Sequence, residues 1–307
     1  MVGIYRRVHS NNLRMNLVRS LLAWYAASAR NFPWRTPNVS PYVVLVSETM
    51  LQQTQTSRVA EALPRFLERF PTIHDLAQAT NADVVRQWKG MGYNSRALRL
   101  RNAAQAVVRE HNGVIPSSVE VLRMLPGVGP YTSAAIACFG YNQRVVVIDV
   151  NVRRVYSRWM RAQQTTADVS AEFEVHAYAE AIIPHNAAAD WHHAVMDLGS
   201  TICTARSPGC SVCPVALHCA SAGALVPAQK PRKSEPMFRG TPRRIWRGRI
   251  IEALRRQPAP ISPVELQMRV MESPLTTDEM AWFEDVLLRL VSDGLVAYSG
   301  ADVVLAQ

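Results

Sequence analysis

The sequence predicts an all-α core followed by a small α+β appendage, and three observations predict it. Through the first 220 residues, apolar positions recur at helical spacing, with no clear alternating run. The stretch LPGVGPYT (Leu125–Thr132) is a glycine turn that opens a helix at Pro130. Beyond a Pro- and Arg-rich stretch, residues 243–307 read as three helices and a hairpin, the pattern of a winged helix. The expected division is a core at 1–225, a basic linker at 226–242 and the winged-helix-like unit at 243–307.

The elements follow in order. Leu17, Leu21, Trp24 and Tyr25 share one face of a helix over 17–28. FPWRTPNVSPY breaks it, and a second helix begins near Val43 and is read as continuing to Phe70. Pro71 stops that run, and Ile73 to Trp88 is predicted as one further helix. GMGYNSRA (Gly90–Ala97) turns into a helix that carries Arg96, Arg99 and Arg101 and reaches His111. A short helix over 119–125 leads into the glycine turn, and Tyr131 to Phe139 form an apolar helix ended by Gly140. Helices near 152–160, 171–183 and 191–201 complete the core. In the appendage, 245–255 and 278–292 read as helices, ISPVELQMRV as the third, and 294–300 as the hairpin.

Composition narrows the partners. The chain of 307 residues has a net charge of +10, which favours a polyanion. Ten Lys/Arg against two Glu between Lys230 and Arg256 leave +8 in that segment, which reads as a solvated basic linker that favours DNA. No stretch approaches the roughly 20 apolar residues that span a bilayer, so no membrane role and no signal segment are expected. The first 47 residues hold six Arg and no acid. That can mimic a transit peptide, a reading set aside because a pattern resembling a known family already starts near Leu17.

Two carboxylates stand out. Glu48, the first acid in the chain, sits in VVLVSETMLQQ among apolar neighbours. A helical Glu is more often exposed. Held away from water, it would favour the protonated form and suit a general acid. Asp149 follows the apolar run Val145–Ile148 and precedes a helix, where an N-cap is its commonest use. It could also be a carboxylate beside a reacting sugar, and both roles can hold together. Gly127 and Gly129 frame a turn whose bare N–H groups suit an anion such as a DNA phosphate, although an ordinary helix corner has the same pattern.

Cys203, Cys210, Cys213 and Cys219 lie within 17 residues, separated by six, two and five others. Four thiolates can satisfy one tetrahedral metal or one cluster, and the spacing fits a structural zinc site poorly. A redox pair at Cys210–Cys213 is the alternative. Cys138, inside an apolar helix, reads as a small core residue. A secreted disulfide framework does not fit a chain of this size.

Taken together, PWR (33–35), SETMLQQTQ (47–55), GMGYNSRA (90–97), LPGVGPYT (125–132), IDVNVRRV (148–155) and the cysteine spacing resemble the adenine DNA glycosylases of the MutY family over roughly residues 17–222. The wider relatives are the endonuclease III-like glycosylases. The resemblance implies an all-helical, two-subdomain helix-hairpin-helix fold. It also implies a 4Fe-4S cluster on the four cysteines, ordering a DNA-contacting loop around Arg206. The target adenine would be flipped out of the duplex. Glu48, protonated, would donate to N7 of adenine. Asp149, ionised, would stabilise the oxocarbenium-like sugar, with Tyr131 and Asn151 in support.

By the same resemblance Gln53 and Tyr93 enter the duplex near the lesion pair, and Trp34, Arg35 and Leu51 line the adenine pocket. The substrate implied is double-stranded DNA with A opposite 8-oxoguanine or G, acted on by a cytoplasmic, nucleoid-associated bacterial monomer. Bifunctional relatives carry a Lys where this chain has Tyr131, so an abasic site without strand cleavage is expected. Asn94 replaces a second aromatic, Val150 a usual Gly, and His193 a usual Glu or Gln near the adenine. The appendage lacks the Nudix-like domain that inspects 8-oxoguanine in many members, and with the linker it is expected to add non-specific DNA affinity. A thymine or uracil mismatch glycosylase, or a non-catalytic iron–sulfur DNA-binding protein, are the alternative readings.

Overall fold

The computed structural model describes residues 11–228, 235–257, 259–271 and 273–307. Residues 229–234 of the predicted linker lie outside the described residues. The chain forms two compact units, one from 1–41 and 133–232, the other from 42–132 and 233–307. Among the described residues, strands occur only from Met237 onward, and no helix is long and apolar enough to cross a membrane.

In the first unit, Val150–Met160 packs on Glu172–Ile182 and Ala188–Thr201, and the latter packs on Asn11–Ser28. Buried aromatics fill the centre. Tyr156, Trp159 and Trp191 are almost fully buried, and the Trp191 indole donates to the Tyr156 hydroxyl at 2.8 Å, so neither polar atom is stranded. Cys138 is a buried core residue. The helical run that opens at Pro130 ends at Gly140 as predicted, but it is not α-helical throughout. Pro130–Ala135 widens into a π-helical turn, Ile136–Gly140, and a Cβ on Gly140 would stand 2.9 Å from the Pro41 Cα.

In the second unit, Ile73–Gln78 and Asn81–Gln87 pack on Ser95–His111. Two helices predicted as continuous are broken. Pro41–Leu51 stops, the chain turns through Gln53 at φ 57°, and Thr56–Arg69 starts again. Ala79 and Thr80 are extended, and Thr80 forms a capping box with Asp83 that starts a new helix. The left-handed Gln53 interrupts the apolar periodicity at the first break and the Thr80 capping box at the second.

The C-terminal residues form Arg243–Arg256, Pro263–Val270 and Thr277–Ser292, then the antiparallel pair Val296–Ser299 and Asp302–Leu305, with Ile261 bridged to Val303. The hairpin lies further along than predicted, with Gly300 at its turn. Trp246, Ile250, Leu254, Phe283 and Leu287 share one buried cluster with Ala82, Val85 and Leu98. Leu254→Ala should cost about 2–5 kcal/mol. Hydrogen exchange should then show Asn81–Gln87 and Arg243–Arg256 losing protection together; loss confined to residues 243–307 would contradict a shared core.

Candidate active site

Glu48 is buried, at 5% exposure, against the exposure expected of a typical helical Glu. Every residue from Val44 to Met50 is buried, so the Pro41–Leu51 helix has no wet face in that stretch. Its last carbonyls need donors, as every helix end does. Arg96 supplies them. The Nη1 group donates to the carbonyls of Thr49 (2.9 Å), Met50 (3.0 Å) and Gln52, and Nη2 to those of Met91 (2.8 Å) and Gly92 (3.1 Å) and to Thr54 Oγ1 (3.0 Å). Burial lowers its pKa to about 10, so it stays cationic at neutral pH.

Arg96 thereby ties two exposed, strained turns to the end of the Glu48 helix. Gln53 and Tyr93 have φ of 57° and 43°, the left-handed region that side chains resist. The Tyr93 turn is also held by Trp88 Nε1, which donates to the Gly92 carbonyl at 3.2 Å. Leu51 is half-buried at the helix end. In the glycine turn only Gly127 has positive φ, 76°, and a Cβ there would meet the Arg99 Cβ at 2.8 Å. Tyr131 is half-buried in the first turn of Pro130–Ala135.

In the first unit Asp149 caps Val150–Met160, with Oδ1 accepting from the Val152 N–H at 2.6 Å. Asn151 Nδ2 donates to Asp149 Oδ2 at 3.2 Å, and Asn151 Oδ1 accepts from Arg154 at 3.0 Å. Arg154 continues the chain to the carbonyls of Gly199 (2.6 Å) and Cys203 (3.1 Å). The Asp149 carboxylate thus stands at one end of a bonded path to the cysteine segment. Val150, beside it, is 79% exposed.

The FPWR loop is fastened to Ala188–Thr201 through Asp197. Arg30 Nε reaches Oδ1 at 2.8 Å and Arg35 reaches Oδ2 at 2.9 Å. Burial would raise the Asp197 pKa, but the two guanidinium groups more than offset it and hold the carboxyl below its usual range. Trp34 is buried and stacks on Phe32 at 4.7 Å. Half-buried His193 stacks on Phe139 at 4.3 Å, and burial, with the nearby Arg35 charge, lowers its pKa to about 3. It is therefore a neutral ring at physiological pH.

Cys203, Cys210, Cys213 and Cys219 are free thiols lining one cavity with Arg158 and Trp159. Buried Arg158 donates to Cys203 Sγ at 3.3 Å and to the Thr204 carbonyl at 2.9 Å, placing a cation beside the sulfur. Among the described residues, no three Cys, His, Asp or Glu converge closely enough for a single metal ion. One zinc would draw four sulfurs to about 2.3 Å from one point. Four thiols lining one cavity beside a buried cation fit a metal group held by thiolates. Arg206 is exposed on the same segment.

Residues 46–178 match the HhH-GPD superfamily base excision DNA repair protein family. An adenine DNA glycosylase of Mycobacterium tuberculosis is 40% identical over 92% of this chain and 93% of its own. The chain belongs to the adenine DNA glycosylases of the MutY family. A human adenine DNA glycosylase is 38% identical over 65% of this chain and 38% of its own. Among solved structures, a thermostable thymine-DNA glycosylase is 27% identical, with a TM-score of 0.63 over 68% of this chain and 96% of that one. An endonuclease III–DNA complex, 20% identical with a TM-score of 0.59, shows the same helical fold.

For a glycosylase of this family, the expected residues fall into two groups. Glu48, Leu51, Gln53, Tyr93, Gly127, Gly129 and Tyr131 belong to one unit; Trp34, Arg35, Asp149, Asn151, His193, Arg206 and the four cysteines belong to the other. Sequence reasoning passed over Arg96, Arg154, Arg158 and Asp197 as supports. The sequence around Arg96 offers no acid between Lys89 and Arg109, which removes a local ion pair but does not point to its backbone partners.

Arg96→Met should cost at least about 3 kcal/mol, since it strips a donor from five carbonyls. An unchanged denaturation midpoint would contradict the staple. His193 should show neutral-imidazole shifts by NMR at pH 5. Its depressed pKa means that stability declines as pH falls from 6.5 toward 3; protonation of His193 near pH 6.5 would contradict its placement.

Proposed function

We propose that this glycosylase removes adenine opposite 8-oxoguanine or guanine in double-stranded DNA, leaves an abasic site, and has little or no lyase activity. The observation that carries it is Glu48, a carboxyl buried in an apolar helix and braced by Arg96, within a chain 40% identical to an adenine DNA glycosylase. A carboxyl at that place is the group available to donate a proton. Glu48 gives its proton to adenine N7, and the bond from N9 to the sugar breaks with its electron pair on the base. Asp149, ionised, faces the positive charge that develops on the sugar. Water then adds to the sugar carbon and loses a proton, and neutral adenine leaves.

Asn151 and Arg154 hold the Asp149 carboxylate in position, and Tyr131 supports the same pair of acids. Tyr131 has no amine to form a Schiff base, which is why strand cleavage is not expected. Trp34, Arg35, Leu51 and the neutral His193 receive the flipped adenine, while Gln53 and Tyr93 enter the duplex and Gly127, Gly129 and Arg206 contact its backbone. Cys203, Cys210, Cys213 and Cys219 hold a 4Fe-4S cluster, which orders the segment bearing Arg206. Residues 243–307 form a winged-helix-like appendage, and the protein acts as a monomer.

The test is base release from duplexes carrying A opposite 8-oxoguanine, A opposite G, T opposite G and A opposite T, with and without alkali. Adenine should leave the first two, with strand breaks only after alkali. Release of thymine alone would support the thymine-mismatch reading, and no release would support a binding protein. The purified protein should be yellow-brown with broad visible absorbance; stoichiometric zinc without iron would overturn the cluster assignment.

A further inference from the structure

We propose that Arg255, on the C-terminal appendage, is a positioning residue for the Tyr93 turn, so that the appendage serves to set the geometry of duplex entry rather than to bind DNA by charge. The inference rests on the reading of Tyr93 as a duplex-entering residue. Arg255 Nε donates to the Val85 carbonyl at 2.9 Å, and Nη2 donates to Asn94 Oδ1 at 2.7 Å. Val85 and Asn94 bracket the strained segment that contains Gly90, Gly92 and Tyr93, all at positive φ. One guanidinium therefore clasps both ends of the turn. Its side chain is 9% exposed, and Glu252, one turn earlier, pairs with it at 3.2 Å and with Lys89 at 3.8 Å.

Asn94 gives independent support. It stands at the N-cap of Ser95–His111, where Asn normally caps its own helix, yet it makes no side-chain capping bond. Its carbonyl oxygen accepts from Arg255 instead. Asn94 is also where this chain departs from a second aromatic after Tyr93. An acceptor at that position lets a different segment of the protein grip the turn.

The charge of the appendage argues against the simpler electrostatic role. Residues 243–307 contain eight Arg, no Lys and nine acids, a net charge of −1. Seven of those arginines pair with carboxylates, among them Arg243 with Asp285, Arg247 with Asp293 and Arg269 with Glu265. The eighth, Arg249, lies 4.4 Å over the Trp246 ring. The net charge of the segment gives little support to a non-specific clamp, and what the segment does offer is a buried, directional contact with the turn.

The test compares Arg255→Ala, Asn94→Ala, the double variant and Asn94→Asp in the full-length, cluster-loaded protein. One readout is single-turnover adenine release at saturating protein. The other is the fluorescence of 2-aminopurine next to the mispair, which reports duplex opening independently of base release. Arg255→Ala and Asn94→Ala should each reduce both by about tenfold, and the double variant should be no worse than either. Asn94→Asp, which keeps an acceptor for Arg255, should stay within about threefold of the unaltered protein.

Mispair affinity and its salt dependence should be unchanged. Additive losses, or weaker binding with a shallower salt slope, would overturn the clasp in favour of a general folding role or a phosphate contact. If Arg255→Ala does not fold, Asn94→Ala and its Asp counterpart decide alone. If the unaltered protein opens the duplex but releases no adenine, the proposed activity fails while the fluorescence still tests the clasp. If it opens no duplex, the reading of Tyr93 and the clasp fall together.

Discussion

A buried guanidinium whose partners are almost all backbone carbonyls orders the 42–132 segment. Arg96 cannot be dry and unpaired, because a desolvated cation without hydrogen-bond acceptors is too costly. The chain answers by ending one helix and making two left-handed turns around it, so that the carbonyls of Thr49, Met50, Gln52, Met91 and Gly92 all point at one side chain. The same arrangement fixes the helix that carries Glu48 and the exposed side chains Gln53 and Tyr93. Strain at these two residues persists because the surrounding bonds over-determine it.

The other unit solves its positioning problem with side-chain chains rather than a hub. Asp149 is held by its own helix and by Asn151; Asn151 is held by Arg154; Arg154 is held by the carbonyls of Gly199 and Cys203. Arg158 then continues to the cysteine segment. The Asp149 carboxylate is therefore linked through Asn151 and Arg154 to the backbone of the cysteine segment. Asp197 performs the equivalent service for the FPWR loop, with two cations on one buried carboxylate.

Much of this was legible in the sequence where the controlling chemistry is local. The Asp149 cap follows from an Asp before a helical run, and the cysteine cavity from four cysteines in 17 residues. Cys138 in the core follows from its apolar neighbours. The breaks at 52–55 and 79–80 were not legible from periodicity, because a capping box and a left-handed Gln override a pattern that continues through them. The burial of Glu48 is not legible for a different reason. Its burial depends on what packs around the whole helix, and the sequence of the helix alone is compatible with either environment. Arg96 reaches the carbonyls of Thr49, Met50 and Gln52, 44 to 47 residues away, and Arg255 the Val85 carbonyl and the Asn94 amide, 161 to 170 residues away, separations that no local rule reaches.

The central claim is that Glu48 is the acid that the Arg96-braced helix presents to the departing adenine. The most direct measurement is single-turnover adenine release by Glu48→Gln beside its affinity for the mispair. Gln fills the same space and cannot donate an acidic proton. The account predicts a loss of about 10²–10⁴-fold in release with binding retained. Release at the unaltered rate would contradict it.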